Sequence, residues 1–569
     1  MTRRTGAHLL CDTLEALGVE LVFGLPGTQN VPLFEALRGS PLRMIVATHE
    51  LGAGFMANGY ARTSGRPGIL VTIPGPGFTY ALTALAEARH DSAAMVLITL
   101  APERGDRSFL LQAIDQRAVA APLVKASWEA TRVEELAPAM VAAYAAARDG
   151  EPGPVLLEVR AEVLHAETDL AAAQAASPSS SGDAPRLAAE CLAEALATAR
   201  RPAFFVGQGA SGAAESLRRV VEDRGGPLLT TLSGRGALAE DHPLCLAVDL
   251  GTGVDAVNGL LDRADLVVAL GCKFSHNGSG GFRLRLARDR LIHVDASPAV
   301  AGVNYPARAA LVADVPATLR ELAARLPLAA PQAEWTAEEI ASARQAGRLA
   351  ATRGAPEPAI LGRSGGPAAL FAAIGRAVPR ETILVTDSGL HQMLARRHWS
   401  VRSPRGLLAP SDFQSMGFGI PAAIGARLAA PDRPVLVVTG DGGFNMAGLE
   451  LLTAAREEIP VVVLVFHDGE YGLIRQQQLG DYGHPFGVAL RTPEYGAFAE
   501  AIGVPFALLG DGLDAVLTAA FARAGPTLVE VALGDSPRFQ AWKAQRVARA
   551  TARRLLPEMI KSFLRPRRS

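Results

Sequence analysis

Along most of the chain, short runs that are apolar at consecutive positions alternate with longer Ala- and Leu-rich stretches. RMIVAT, GILVTI, AAMVLIT, PVLLEV, PAFFVG, DLVVALG, LIHVD, TILVTD, PVLVVTG and PVVVLVF show no polar alternation. Such runs suit strands buried on both faces. Interleaved with helical stretches, they predict an α/β chain of doubly wound parallel sheets. Near the start, Leu9, Leu10, Leu14 and Leu17 have the spacing of an amphipathic helix. Asp12 and Glu15 interrupt the apolar run there, which argues against a signal peptide. Two stretches, 166–186 and 326–368, break the rhythm with Pro, Ser, Gly and Ala and are predicted to be linkers. The expected division is a domain at 1–168, a linker at 169–186, a central domain at 187–327, a linker at 328–366, a third domain at 367–540 and a basic tail at 541–569.

Bulk properties narrow the classes. The 569 residues suit three or four domains, at roughly 150 residues each. A formal net charge of -1 argues against nucleic acid as the main partner, because phosphate binding calls for a basic surface. The tail WKAQRVARATARRLLPEMIKSFLRPRRS is the one basic stretch, and it reads as a solvated helix with a frayed end. No apolar run reaches the length of a membrane span. Cys11, Cys191, Cys245 and Cys272 are widely separated with no CxxC. That pattern fits a reducing, cytoplasmic setting without a zinc site.

The candidate chemistry begins at TGDGGFNMAGLELLTAAREEIPVVVLVFHDGEYG. A strand that ends in a glycine turn and opens a helix forms a phosphate cradle, with glycine allowing close approach of the backbone. No GxxxxGK[ST] is present, and Asp441 stands in the turn Gly440-Asp441-Gly442-Gly443. A carboxylate beside a diphosphate repels it unless a cation lies between them. Magnesium is the natural bridge, since it takes about six oxygens shared among carboxylates and phosphates. Asp468 ends the next strand of the same unit, so both acids are expected at one sheet edge. The expected metal ligands are Asp441, Asp468 and the backbone carbonyl of Glu470.

A second candidate is MIVATHELGAGFMANGYAR, in which Glu50 opens a helix of small residues. An acid at a helix start is favoured by the dipole with no further role. Here Ala53, Met56, Ala57 and Ala61 give the helix an apolar face, so Glu50 is expected to be substantially buried with a raised pKa. The first and third domains also echo each other: LVTIPGPGFTYAL (70–82) and VVTGDGGFNMAGL (437–449) each read as strand, glycine turn with Phe, then helix. Only the later copy carries the acid.

Together these motifs resemble the thiamine-diphosphate enzymes, over the whole chain, and most closely the acetolactate synthase large-subunit group. GDG followed after 27 residues by an oxygen ligand resembles the family's metal and diphosphate motif, and Glu50 to Ala61 fits E-x-x-A-x-x-M-A-x-G-x-A. The resemblance implies a pyrimidine-binding, a central and a diphosphate-binding domain, with thiamine diphosphate and Mg2+ as cofactors. Glu50 would protonate the pyrimidine ring, and Gln112, in LLQAIDQ, would sit near the reacting carbon. Pro26 and Gly27 would lie near the ring. Ser388, Gly389, Leu390 and His391 would approach the diphosphate and aminopyrimidine. Met416 would hold the two rings bent, and Tyr471, Gly472 and Leu473 would line the thiazolium pocket. Taken alone, Met416 reads more often as core, and His391 reads equally as a satisfied loop histidine.

The chain departs from the family pattern in two places. His467-Asp468 replaces the usual Asn-Asn, which keeps an oxygen ligand but adds negative charge. In GCKFSHNGSGG, Asn277 takes the place of an arginine that helps acetolactate synthases hold an anionic second substrate; Lys273 lies close by but at a different position. The second departure also leaves FAD open, since some relatives carry it and others do not. The implied reaction decarboxylates a 2-oxo acid and joins the remaining carbon to a second carbonyl. Simple decarboxylation is the alternative, but Ile474 stands where decarboxylases resembling the pyruvate enzyme place a glutamate, and His90 has no adjacent histidine. The implied assembly is a homodimer or homotetramer in which Glu50 of one subunit faces Asp441 of another. A nicotinamide-dependent dehydrogenase lacks support because no strand leads into a clean GxGxxG. A non-catalytic relative finds its only support in His467-Asp468.

Overall fold

Three sheets organise the chain, each built from the apolar runs. The structure is a computed structural model that describes residues 4–102, 108–173, 182–328, 333–352, 357–361, 364–510 and 512–534. The predicted basic tail lies outside these residues, as do parts of both predicted linkers.

The first sheet holds β1 (Leu21–Gly24), β2 (Arg43–Val46), β3 (Gly68–Thr72), β4 (Met95–Ala101), β5 (Ser127–Ala130) and β6 (Pro154–Arg160), in the order β2-β1-β3-β4-β6-β5. The second holds β7 (Pro202–Val206), β8 (Leu228–Thr230), β9 (Leu266–Leu270), β10 (Leu291–Asp295) and β11 (Ala309–Val312), in the order β11-β10-β9-β7-β8. Every pairing in these two sheets is parallel. The third holds β12 (Ala359–Ile360), β13 (Ile383–Thr386), β14 (Leu407–Leu408), β15 (Val435–Gly440), β16 (Val462–His467), β17 (Phe506–Leu508) and β18 (Thr527–Gly534). Its order is β12-β18-β16-β15-β13-β14, with β17 also on β18. Only the two-residue edge strand β12 runs antiparallel. Strands β3, β4, β7 and β9 are buried at every position, as their unbroken apolar runs require.

Within 328–366, the stretch predicted as a linker, the described residues are not all irregular. Ala337–Thr352 is a helix, consistent with its alanine content. Trp335 anchors the preceding turn: its indole donates to the Pro202 carbonyl at 2.8 Å and its ring lies under the Arg201 guanidinium at 4.0 Å. The N-terminal helix Gly6–Ala16 forms as its spacing predicts, with Leu9, Leu10 and Leu14 buried.

The first and third domains share one hydrophobic core. Its centre is the contact between the helices Glu50–Ser64 and Gly419–Ala429, where the Phe55 and Phe418 rings meet edge-on at 5.3 Å. Beside it, Arg62 is buried in an ion pair with Asp91 at 2.7 Å and donates to the Ala409 carbonyl. Asp91 in turn accepts from the Ser411 hydroxyl at 2.6 Å. The charge on each member is therefore matched by a partner and by further hydrogen bonds, as a buried pair requires. A cleft of about 460 Å³ opens where the central domain meets this interface, with Gln208, Gly209, Lys273, Asp295 and Asp314 among its lining residues.

Candidate active site

Strands β15 and β16 pair in parallel with Gly440 opposite Phe466, so the turns beyond them lie side by side. Asp441 begins the short helix Asp441–Ala447 and is fully buried. Its Oδ2 accepts from the backbone N–H groups of Asp468 at 2.9 Å and Gly469 at 2.7 Å, and its Oδ1 accepts from the Tyr495 hydroxyl. Asp468 Oδ1 accepts from the Glu470 N–H at 3.2 Å. Burial, with Asp441 adjacent, pushes the Asp468 carboxyl up to about 7. The two acids converge, as strand adjacency predicts. Gly469 has φ +69°, the left-handed conformation that lets the chain reverse directly behind Asp468.

The Glu470 side chain turns away to Arg475, with which it pairs at 2.7 Å. Its backbone bridges to Ala489, held on either side by Tyr471 N–H to Val488 O and Leu490 N–H to Gly469 O, both 2.8 Å. Among the described residues no three His, Cys, Asp or Glu side chains cluster as metal ligands do. The available donor set is two carboxylates and a backbone carbonyl, which are hard oxygen ligands suited to Mg2+ completed by phosphate and water.

Glycines leave a cradle around this edge. A Cβ on Gly440 would meet the His391 ring at 2.7 Å, and one on Gly442 would meet Met416 Cε and the Tyr471 ring at 2.6 Å. A Cβ on Gly443 would meet the Asp387 carboxyl at 2.7 Å, while one on Gly472 would collide with Asp468 Oδ2 and touch Leu390. Thus Met416 and Tyr471 close over Gly442, Leu390 packs on Gly472, and Leu473 is half-buried in the first turn of the helix Gly472–Asp481. His391 is buried with its Nε2 unpartnered. Burial holds its pKa down to about 3, against a hydrogen bond to the Asp387 backbone, so the ring is neutral. A buried ring nitrogen without a partner beside a glycine-walled turn fits a polar ligand at this place.

Sequence reasoning passed over Asp387, the residue that organises the cradle. Its carboxyl accepts from the N–H groups of Ser388 (2.8 Å), Gly417 (3.0 Å) and Gly419 (2.9 Å), tying the Ser388-Gly389 turn to the Met416 loop. Burial raises it to about 6 despite these donors. Ser388 donates to Gln414 Oε1 at 3.1 Å. The available signal was an acid at a strand end, the same one that marked Asp441. Tyr495 was missed for a different reason: it lies 54 residues from Asp441, on a separate helix.

The remaining candidates form a second group on the first domain. Glu50 opens its helix behind His49 and is half-buried in the single chain, less than its apolar helix face predicted, because its side chain lies at the helix end and not along that face. Its Oε1 would stand 3.2 Å from a Cβ on Gly77, in the Pro74-Gly75-Pro76-Gly77 turn. Gln112 covers Gly75, where a Cβ would meet it at 2.9 Å, and accepts from Gln29 Nε2 at 2.6 Å. Gln112 adopts φ +61°, a conformation unusual for a residue with a side chain. Gly27 packs on Ile73, and buried Asn30 fixes the Leu25-Pro26-Gly27 turn by accepting from Gly27 N–H at 2.8 Å and donating to the Leu25 carbonyl at 3.0 Å.

Within one chain these groups stay separate. Among the described residues, the partners given above for Asp441 all belong to the third domain, and Glu50 stands against Gly77 of the first. What joins the groups is Glu450, which follows the Asp441 helix. It accepts from the Thr48 N–H at 3.2 Å and the Thr48 hydroxyl at 2.7 Å, two residues before Glu50. Lys273 and Asn277 are engaged elsewhere: Lys273 pairs with Glu151 at 2.8 Å, and Asn277 donates to the Ser411 carbonyl at 2.6 Å.

Three family models match the chain: the N-terminal TPP binding domain of thiamine pyrophosphate enzymes over residues 4–120, the central domain over 189–322 and the C-terminal TPP binding domain over 387–531. A probable 2-ketoarginine decarboxylase of Pseudomonas aeruginosa is 36% identical over 541 residues, covering 93% of this chain and 94% of that protein. The large subunit of acetolactate synthase isozyme 1 of Escherichia coli is 34% identical, with 84% of each chain covered. A probable acetolactate synthase large subunit of Methanocaldococcus jannaschii is 33% identical, covering 88% of this chain and 86% of that protein.

Proposed function

The chain belongs to the thiamine pyrophosphate enzyme family, and on that premise we propose that it decarboxylates a 2-oxo acid with thiamine diphosphate and Mg2+ and joins the remaining carbon to a second carbonyl. The observation that carries the cofactor reading is the convergence of Asp441 and Asp468 beside a glycine cradle. When bound, thiamine diphosphate supplies a carbon nucleophile and a cationic ring that accepts electrons as carbon dioxide leaves. Asp441, Asp468 and the Glu470 carbonyl would hold the cation. Ser388, Gly389 and His391 would contact the phosphate side, while Met416, Tyr471, Leu390, Gly472 and Leu473 would support the rings and exclude water. Glu50 would hold and release a proton at the aminopyrimidine, and Gln112 would orient the substrate.

Such a site requires two copies, with Glu50 of one facing Asp441 of the other. Exposed apolar side chains around both groups support that assembly, among them Tyr80 at 53%, Met446 at 57% and Leu449 at 56% exposed. No described helix is long and apolar enough to cross a membrane.

A second reading is release of the carbon as an aldehyde. Two observations favour it: the likeness to a probable 2-ketoarginine decarboxylase, and the commitment of Lys273 and Asn277 to other partners, which leaves neither as a handle for an anionic acceptor. One experiment separates the readings. Carbon dioxide and organic products are followed for pyruvate, longer, guanidino and aromatic 2-oxo acids, with and without aldehyde acceptors. A coupled hydroxyketone supports ligation; free aldehyde alone supports simple decarboxylation. Glu50→Gln is expected to abolish carbon dioxide release from any substrate found.

A further inference from the structure

We infer that Tyr495 is a positioning residue of the cation site, fixing the Asp441 carboxylate so that a single lone pair of Oδ1 is left for the metal. The inference rests on the Asp441–Asp468 reading above. An ionised carboxylate offers about four acceptor positions. On Asp441 the two backbone N–H groups of Asp468 and Gly469 fall on Oδ2, and the Tyr495 hydroxyl falls on Oδ1. Three donors from two different elements therefore set the carboxylate plane, and the open position lies on Oδ1. Coordination by Asp441 is then monodentate through that oxygen.

Tyr495 is itself held in place. It is fully buried at the start of the helix Tyr495–Ala501. Its ring meets Phe444 edge-on at 5.0 Å and His467 edge-on at 5.1 Å. His467 is fixed from behind, by Glu530 at 2.6 Å through Nδ1 and by Thr492 at 3.3 Å through Nε2. Both ring nitrogens of His467 are thus engaged away from Asp441. His467, one of the two residues that replace the family's Asn-Asn, walls the tyrosine and takes no ligand position. Groups that hydrogen-bond a metal-ligating carboxylate typically alter metal affinity 10- to 100-fold when removed.

The test uses the full chain, with Mn2+ as the probe, read by electron paramagnetic resonance with and without thiamine diphosphate and in the absence of substrate. Tyr495→Phe keeps the ring and removes only the hydroxyl; its Mn2+ dissociation constant is expected to rise about 10- to 100-fold. Phe498→Ala removes a neighbouring ring that touches Phe444 at 5.4 Å and serves as the packing control, with Mn2+ affinity expected to stay within about threefold of wild type. Equal Mn2+ binding by Tyr495→Phe and wild type overturns the inference, as does an equal loss in Phe498→Ala. If the wild-type protein itself binds no Mn2+ in the presence of the cofactor, the metal reading fails and this inference with it.

Discussion

Gly59 and Gly425 stand in reciprocal positions across the interface of the first and third domains. A Cβ on Gly59 would run into the Ala422 carbonyl, and a Cβ on Gly425 would run into the Met56 carbonyl. Gly59 follows Glu50 by the same interval as Gly425 follows Met416, and Met56 and Ala422 match in the same way. The two helices are therefore related by a local approximate two-fold axis, which makes Glu50 and Met416 structural counterparts. One domain offers an acid at that place, the other an apolar side chain.

This close approach predicts a stability effect of unusual sign. Alanine is ordinarily better than glycine in a helix by about 1 kcal/mol. At Gly59 or Gly425 the added methyl meets backbone, so Gly59→Ala and Gly425→Ala are expected to destabilise by about 1–3 kcal/mol. Gly375 lies in the helix Gly366–Ala377 with nothing within 4 Å of its Cβ position, so Gly375→Ala is expected to be neutral or stabilising. Urea midpoints of the three variants check this; a shift of the same sign in all three refutes the packing argument.

Glu450 predicts a kinetic effect without direct contact with substrate. It anchors the Thr48 turn and, through Thr453 Oγ1 at 2.8 Å, its own helix. Glu450→Gln retains the shape but loses an acceptor for the Thr48 N–H and hydroxyl, which releases the turn that presents Glu50. Turnover is expected to fall by up to about 100-fold, the scale of a 1 Å misplacement. Binding of thiamine diphosphate is expected to change far less. Steady-state rates set against cofactor titration distinguish this from general unfolding, which would lower both.

The acid in place of asparagine at 468 predicts a strong dependence on the cation. Two converging carboxylates repel each other and the diphosphate until a divalent ion neutralises them. Adding Mg2+ with thiamine diphosphate is expected to raise the melting temperature of the wild-type protein more than that of Asp468→Asn. Chelation is expected to cost Asp468→Asn less. An equal response of the two proteins in thermal-shift measurements would show that the added negative charge at 468 does not set the cation dependence.

The buried ring of His391 predicts loss of stability in acid. Its folded pKa, about 3, lies below the ordinary value of 6.5. Between these values the unfolded chain binds a proton that the folded chain does not, so stability falls as pH drops through that window. The slope is about 1.4 kcal/mol per pH unit for one such group. His391→Asn cannot take up that proton, so its stability curve between pH 6 and 4 is expected to be flatter by that amount. Denaturant titrations of the cofactor-free protein at a series of pH values measure it.

Much of the candidate site was legible because it is built at strand ends. Asp441, Asp468 and the glycines between them are close in sequence, and parallel pairing of β15 with β16 turns that proximity into contact. Glu50 stood out at the start of a helix of small residues, and its expected role came from the family resemblance and not from that position. Asp387 was passed over although it too ends a strand, and Tyr495, Asn30 and Glu450 were not legible. Their partners are local turns or distant segments, and nothing in the periodicity of their surroundings marks the contact. The helix Ala337–Thr352 was hidden because proline and glycine on either side lent the stretch the composition of a linker.

By itself, the sequence determined three parallel-sheet domains and the sheet edge on which the two acids lie. Burial on both faces forces unbroken apolar runs, and those survive any rearrangement of the loops. The tertiary structure decided which oxygen of Asp441 remains open, which acid braces Glu50, and that the first and third domains share one core. These depend on contacts between segments far apart in the chain, where packing distance, and not local pattern, selects the partner.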